Sequence, residues 1–279
     1  MRTFANDLMR SIFYRNSNMA AVFQNPITIN GNAYFASDFH LGVPNPDESR
    51  WRECQIVKWL DSIKNDCTHL FLLGDIFDYW FEYKDVVPRG YYLLLAQLHE
   101  LQAKGIVIYY FTGNHDMWVQ DYFTKEIGAH VFRQQQAFVI NGKRCMVGHG
   151  DGLGPKDSGY KFIKAVFAFR PNQKLYGCLH PRHSFAIARF FSRKSRAMTS
   201  IEEEKSLGDD KEMLVQYCKG IVQNEQIDYF IYGHRHLIIE KDIEGKATYF
   251  NIGDWIRHFS YLTFKNNGEI RIEIWPTNN

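Results

Sequence analysis

The sequence has few cysteines and none in a metal-binding or redox spacing. Cys54, Cys67, Cys145, Cys178 and Cys218 are scattered over 279 residues, and no CxxC pair occurs. An odd, unclustered set of this kind excludes a disulfide framework and reads as reduced thiols. Long apolar runs are also missing. None approaches the roughly 18 residues that a membrane-spanning helix needs. The first residues do not resemble a secretory leader, because Arg2, Asn6, Asp7, Arg10, Arg15 and Asn16 break up their apolar positions. The expectation is a cytoplasmic protein. Excess charge of one sign is lacking too: 33 Lys and Arg stand against 31 Asp and Glu, a formal charge of +2. A field this weak gives no reason to expect a nucleic-acid partner. No internal repeat or low-complexity tract is present, and no obligate protein partner is evident.

What is present fits a globular protein with a substantial core. Apolar residues make up 45% and charged residues 23%. Residues 1–30 precede the first clear strand and form an extension with no assignable chemistry. A strand–helix rhythm begins at Ala33. Ala33–Ser37, His69–Leu73 and Ile106–Phe111 read as strands. Trp51–Ile63 and Tyr91–Leu101 carry helical spacing. Phe138–Ile140 and Arg144–Val147 flank an Asn141-Gly142 turn and read as a hairpin. Tyr229–Tyr232, Ile238–Ile243, Thr248–Ile252, Tyr261–Phe264 and Ile270–Trp275 follow as strands. The pattern predicts an α/β fold with two mixed β-sheets. Residues 153–222 break the rhythm. They lack convincing strands, are rich in Lys and Arg, and include helical stretches at Tyr160–Phe169 and Phe185–Phe191. The expected division is a core of residues 31–152 and 223–279 with a helical insertion, or lid, at 153–222.

Five short polar motifs sit where strands are expected to end: Asp38-Phe39-His40, Gly74-Asp75-Ile76-Phe77-Asp78, Gly113-Asn114-His115-Asp116, Gly148-His149-Gly150-Asp151 and Gly233-His234-Arg235-His236. Strand ends are where α/β sheets place sites. In an extended chain, residues i and i+2 share a side, so Asp38 and His40 are expected to point at one metal, and His234 and His236 have the same spacing. Asp75 stands where it could bridge two metals. Asp78 could cap a following helix or support a ligand. Asn114 offers a neutral oxygen, and His115 a proton or a hydrogen bond. Each motif alone reads equally well as a polar loop with a stray histidine. Together they form a mixed set of imidazole and oxygen donors, which suits Mn, Fe, Zn or Co better than Mg or Ca.

The ordered set of motifs, spanning residues 33–255, resembles the calcineurin-like metallophosphoesterase superfamily. That resemblance implies a four-layer α/β sandwich and two divalent ions, with Mn2+ preferred and Fe or Zn as alternatives. Asp38, His40, Asp75 and His236 would hold one ion, and Asp75, Asn114, His149 and His234 the other. His115 would act on the phosphate or leaving group, helped by Asp116. The aromatic run at Phe77, Tyr79, Trp80, Phe81 and Tyr83, the stretch from Gly150 to Lys161 and the basic, apolar insertion are similar to the UDP-2,3-diacylglucosamine hydrolases of lipid A biosynthesis. In those enzymes a helical lid houses acyl chains, and a pyrophosphate is cleaved to UMP and 2,3-diacylglucosamine 1-phosphate. The implied substrate is a lipid-linked nucleotide sugar, met at the inner face of the cytoplasmic membrane. Trp80, Asp157, Tyr160, Lys161 and Arg170 are its expected contacts. This chain has His115 where the best-described branch of those hydrolases has Arg. Other readings of the motifs are a different phosphodiesterase or phosphatase, or a non-catalytic scaffold, which would be expected to lose ligands.

Overall fold

The computed structural model describes residues 22–154, 164, 166–188 and 212–277. Two six-stranded mixed sheets stack face to face. The first has the order β1 (Ile27–Ile29), β6 (Gln136–Ile140), β7 (Lys143–Val147), β8 (Tyr229–Tyr232), β10 (Ala247–Ile252) and β9 (Ile238–Ile243). The second runs β12 (Ile270–Ile274), β11 (Ser260–Phe264), β2 (Ala33–Ala36), β3 (His69–Leu73), β4 (Val107–Phe111) and β5 (His130–Phe132).

Alternation along the central strands builds the layers. Phe35, Phe71, Leu73, Tyr109 and Phe111 meet Phe138, Val147, Ile231, Phe250 and Ile252 between the two sheets. The intervening residues Tyr34, Leu70, Leu72, Ile108 and Tyr110 face outward, where α1 (Pro46–Ile63) and α2 (Tyr92–Ala103) cover them with Ile56, Trp59, Leu60, Leu94 and Leu98. On the far face of the other sheet, Met146, Phe230, Tyr232 and Tyr249 pack against a further helix, Met213–Ile221. The result is helix, sheet, sheet, helix: the expected four-layer sandwich. None of the described helices is long and apolar enough to cross a membrane.

Some boundaries differ from the sequence reading. α1 begins five residues before Trp51. Asn45 caps it by accepting from the Glu48 N–H at 3.0 Å, and Pro46 takes the first turn. Apolar spacing cannot register a cap, because the cap is polar. β1 lies inside the segment taken as an extension and pairs with β6 in parallel. The helix Met213–Ile221 falls within the expected insertion yet buries Leu214, Val215, Cys218 and Ile221 against the core sheet.

Between these limits, Arg170–Gly177 forms a helix and residues 181–188 are also helical. They dock onto the aromatic run. Tyr79 reaches the Tyr176 hydroxyl at 3.0 Å and Phe185 ring to ring at 5.2 Å. Phe81 meets Tyr176 edge-on, Trp118 lies tilted against the same ring, and Tyr83 meets Ser184.

Candidate metal centre

The five motifs leave the carboxyl ends of β2, β3, β4, β7 and β8 and converge. Backbone bonds zip the loops together: the Asp38 N–H donates to Gly74 O at 3.1 Å, His40 N–H to Asp75 O at 2.9 Å, and Gly233 N–H to His149 O at 3.0 Å. Arg52, buried on α1, holds the first loop from behind by donating to the carbonyls of Phe39, His40 and Val43. Glycines permit the close approach. A Cβ at Gly233 would overlap Ser37 Oγ and lie 2.6 Å from Asp38 Oδ2, and one at Gly113 would collide with Asp75 Oδ1.

One expectation about the backbone is corrected. Asp38 and His40 do not converge by strand alternation, because both lie outside β2 in the left-handed region, with φ of 56° and 43°. Asp75, His234 and His236 share that conformation, at 52°, 71° and 50°. It costs about 1–3 kcal/mol per residue and persists where the surroundings over-determine it. Five such residues at one site are the mark of built geometry. His234 and His236 accordingly turn to different clusters, although they share the spacing of the first motif.

The side chains form a continuous set. His40 Nε2 lies 3.6 Å from Asp38 Oδ1, 3.7 Å from Asp75 Oδ2 and 3.2 Å from His236 Nε2. His236 Nε2 is 3.4 Å from Asp38 Oδ1. On the other side, His149 Nε2 is 3.4 Å from Asp75 Oδ2 and 3.2 Å from Asn114 Oδ1. His149, His234 and Asp75 group together, and so do Asp38, His40 and His236. Asp75 Oδ2 stands between the two groups, while its Oδ1 accepts from the His115 N–H at 2.8 Å.

These donors fit two divalent ions. Bonds of about 2.0–2.2 Å to a shared ion would set neighbouring ligand atoms roughly 3.0–3.5 Å apart, close to the separations observed. Asp38 Oδ1 is buried with no hydrogen-bond partner. An orphaned carboxylate oxygen facing two imidazoles needs a cation or a proton. Burial pushes the Asp38 carboxyl up accordingly. Burial also opposes charge on Asp75, but His149 and His115 outweigh it and hold Asp75 well below the usual range. Burial disfavours charge on His149, yet Asp75 overcomes it and raises His149 to about 10. Burial together with His149 pushes His234 down to about 3. Without ions, then, the cluster holds a proton where an ion would supply the charge.

The supporting contacts were only partly expected. His149 Nδ1 donates to Leu73 O at 2.7 Å, which turns Nε2 towards Asp75 and Asn114. His115 Nδ1 lies 3.1 Å from Asp78 O and 3.5 Å from Asp78 Oδ1. Asp78 therefore lies against histidines and is the N-cap of none of the described helices. Asp116 does not serve His115 by any direct bond. Its buried carboxylate accepts from Ile76 N–H, Gly113 N–H and the Tyr110 hydroxyl, and burial pushes it up to about 6. Trp80 is corrected from substrate contact to core residue. It is 0% exposed, packs on Phe77 and Phe123 and donates its indole N–H to Glu82 at 2.9 Å. Asp157, Tyr160 and Lys161 lie outside the described residues, as does the side chain of Arg170.

Sequence reasoning missed Asp254. It follows Gly253 at the end of β10 and stands 3.1 Å from His236 Nδ1. The signal was there, since Gly253-Asp254 after an apolar strand repeats the pattern of Gly74-Asp75.

A cavity of about 770 Å³ opens between the core loops and the 164–178 segment, lined in part by Phe81, Tyr83, Lys84, Arg133, Lys164 and Lys174. Lys164 pairs with buried Asp151 of the fourth motif at 2.5 Å.

No protein-family model matches the sequence. Among curated proteins, the chain is 35% identical over 245 residues to a UDP-2,3-diacylglucosamine hydrolase of Porphyromonas gingivalis, covering 83% of this chain and 93% of that protein. It is 25% identical over 243 residues to the Haemophilus influenzae protein of the same name, covering 85% and 97%. Among solved structures, a phosphoesterase from E. coli aligns over 88% of this chain at 15% identity and a TM-score of 0.41. With a relative this similar along nearly its whole length, the chain belongs to the UDP-2,3-diacylglucosamine hydrolases.

Proposed function

We propose that this protein hydrolyses the pyrophosphate bond of UDP-2,3-diacylglucosamine, giving UMP and 2,3-diacylglucosamine 1-phosphate; its curated relatives are named for hydrolysis of that substrate. The observation that carries this reading is the shared carboxylate. Asp75 Oδ2 sits 3.7 Å from one imidazole and 3.4 Å from another, each belonging to a separate donor cluster. Asp38, His40, Asp75 and His236 would hold one ion, and Asp75, Asn114, His149 and His234 the other. Mn2+ is the proposed metal, since mixed N and O donors suit it. When bound, two such ions activate water and offset charge on a phosphoryl group.

The chain's own residues supply positioning and proton transfer. The His115 Nδ1 contact with Asp78 O leaves Nε2 for the substrate. There it hydrogen-bonds a phosphoryl oxygen or protonates the leaving group. Lys84, Arg133 and Lys174 line the cavity of about 770 Å³, and their positive charge suits an anionic substrate. Asp157, Tyr160, Lys161 and Arg170 remain proposed substrate contacts. The 153–222 segment is proposed as the lid, with burial of acyl carbons contributing about 0.8 kcal/mol per CH2. The described part of that segment exposes Val166, Phe167, Leu175, Leu179 and Ile187 beside Lys174 and Arg182. That face suits peripheral contact with the inner surface of the cytoplasmic membrane.

Purified protein, Mn2+ and UDP-2,3-diacylglucosamine should yield UMP and the diacyl sugar phosphate, and a chelator should stop the reaction. Turnover of bis-p-nitrophenyl phosphate with none of the lipid substrate would keep the metal chemistry and reject the substrate.

A further inference from the structure

We propose that Asp254 is a positioning residue for the reaction, fixing the tautomer and ring orientation of His236 so that Nε2 faces the metal site. The proposal rests on the dinuclear reading above. Asp254 Oδ2 lies 3.1 Å from His236 Nδ1. An ionised carboxylate only accepts, so Nδ1 carries the hydrogen and Nε2 keeps its lone pair. That Nε2 is 3.4 Å from Asp38 Oδ1 and 3.2 Å from His40 Nε2. His149 obtains the same service from the Leu73 carbonyl, a backbone atom that no substitution removes. His236 obtains it from a side chain, so its support can be tested.

Asp254 is itself held firmly. It is 1% exposed, and its other oxygen, Oδ1, accepts from the N–H groups of Ile256, Arg257 and His258 at 3.2, 2.8 and 3.0 Å. Oδ1 also faces His258 Nδ1 at 3.3 Å. The two oxygens thus have separate tasks. Oδ1 builds the turn after β10, and Oδ2 serves His236.

Asparagine separates those tasks. In Asp254→Asn, the three backbone donors keep the amide oxygen on the turn. The amide nitrogen then replaces Oδ2 and presents hydrogens to His236. His236 must turn away, or move its hydrogen to Nε2 and lose the lone pair a metal needs.

The test is metal content after dialysis, Mn2+ titration by calorimetry, and thermal unfolding of the metal-free protein. Wild type should retain two ions. Asp254→Asn should retain one, with affinity for the other weakened roughly 10–100-fold, and should unfold at the wild-type temperature when metal-free. Asp254→Ala should lose the same ion and also unfold earlier, because the turn is lost. Two ions bound to Asp254→Asn at unchanged affinity would overturn the positioning role and leave the proposed function standing. So would equal loss of stability in both variants. A wild type that binds no ion would remove the dinuclear reading and this proposal with it.

Discussion

At the scale of single residues, the site is a problem in charge. Asp38 and Asp75 are buried together, and the protein balances them with imidazoles. His149 carries the extra proton because Asp75 outweighs its burial, whereas His234 at about 3 is already neutral. An ion binding through His149 Nε2 must displace that proton. Metal loading near pH 7.5 should therefore release about one proton per chain, and affinity should rise with pH towards 10. Calorimetry in two buffers of different ionisation heat measures this release, and identical heats would contradict it. In the proposed mechanism His115 acts on the substrate rather than as a metal ligand. Its replacement by alanine should lower kcat roughly 10²–10⁴-fold while both ions remain. Asp75→Ala should lose both ions and reduce turnover to background, since that side chain reaches both clusters.

At the scale of elements, the candidate metal ligands were legible because each lies just past the end of an apolar strand, and Asp75, Asn114, His149 and His234 adjoin a glycine there, a local pattern. Partner choice was not legible, because it depends on loops brought together from distant parts of the chain. Asp78 rather than Asp116 reaches His115, and Asp254 reaches His236 across 18 residues. The i, i+2 spacing predicted convergence of Asp38 and His40 by strand alternation, whereas left-handed turns aim them. Trp80 shows the same limit. The run Phe77 to Tyr83 is rich in aromatics, but Phe77 and Trp80 enter the core while Tyr79 and Tyr83 reach Phe185 and Ser184. Trp80→Ala should therefore cost about 3–5 kcal/mol of stability, read by denaturant unfolding. At a temperature where the variant stays folded, its KM should be close to wild type. A raised KM with unchanged stability would return Trp80 to the substrate.

At the scale of the molecule, two sheets with facing cores fix the relative positions of five loops, and helices on the outer faces complete the sandwich. The fold class was legible from strand and helix periodicity. The edge strands β1 and β5 were not, since three residues carry too little pattern to count. The proposed lid role of the basic, apolar 153–222 segment predicts that the whole protein binds anionic vesicles at low salt and releases them as salt screens the charges. Sedimentation with vesicles reads this directly, and equal binding to neutral vesicles would favour purely apolar contact.

The central claim is that two ions share Asp75 in one catalytic unit. Metal-free protein titrated stepwise with Mn2+ while UMP release is followed tests it most directly. The account predicts little turnover at one equivalent and a plateau at two per chain. Full activity at one equivalent, or in thoroughly chelated protein, would contradict it.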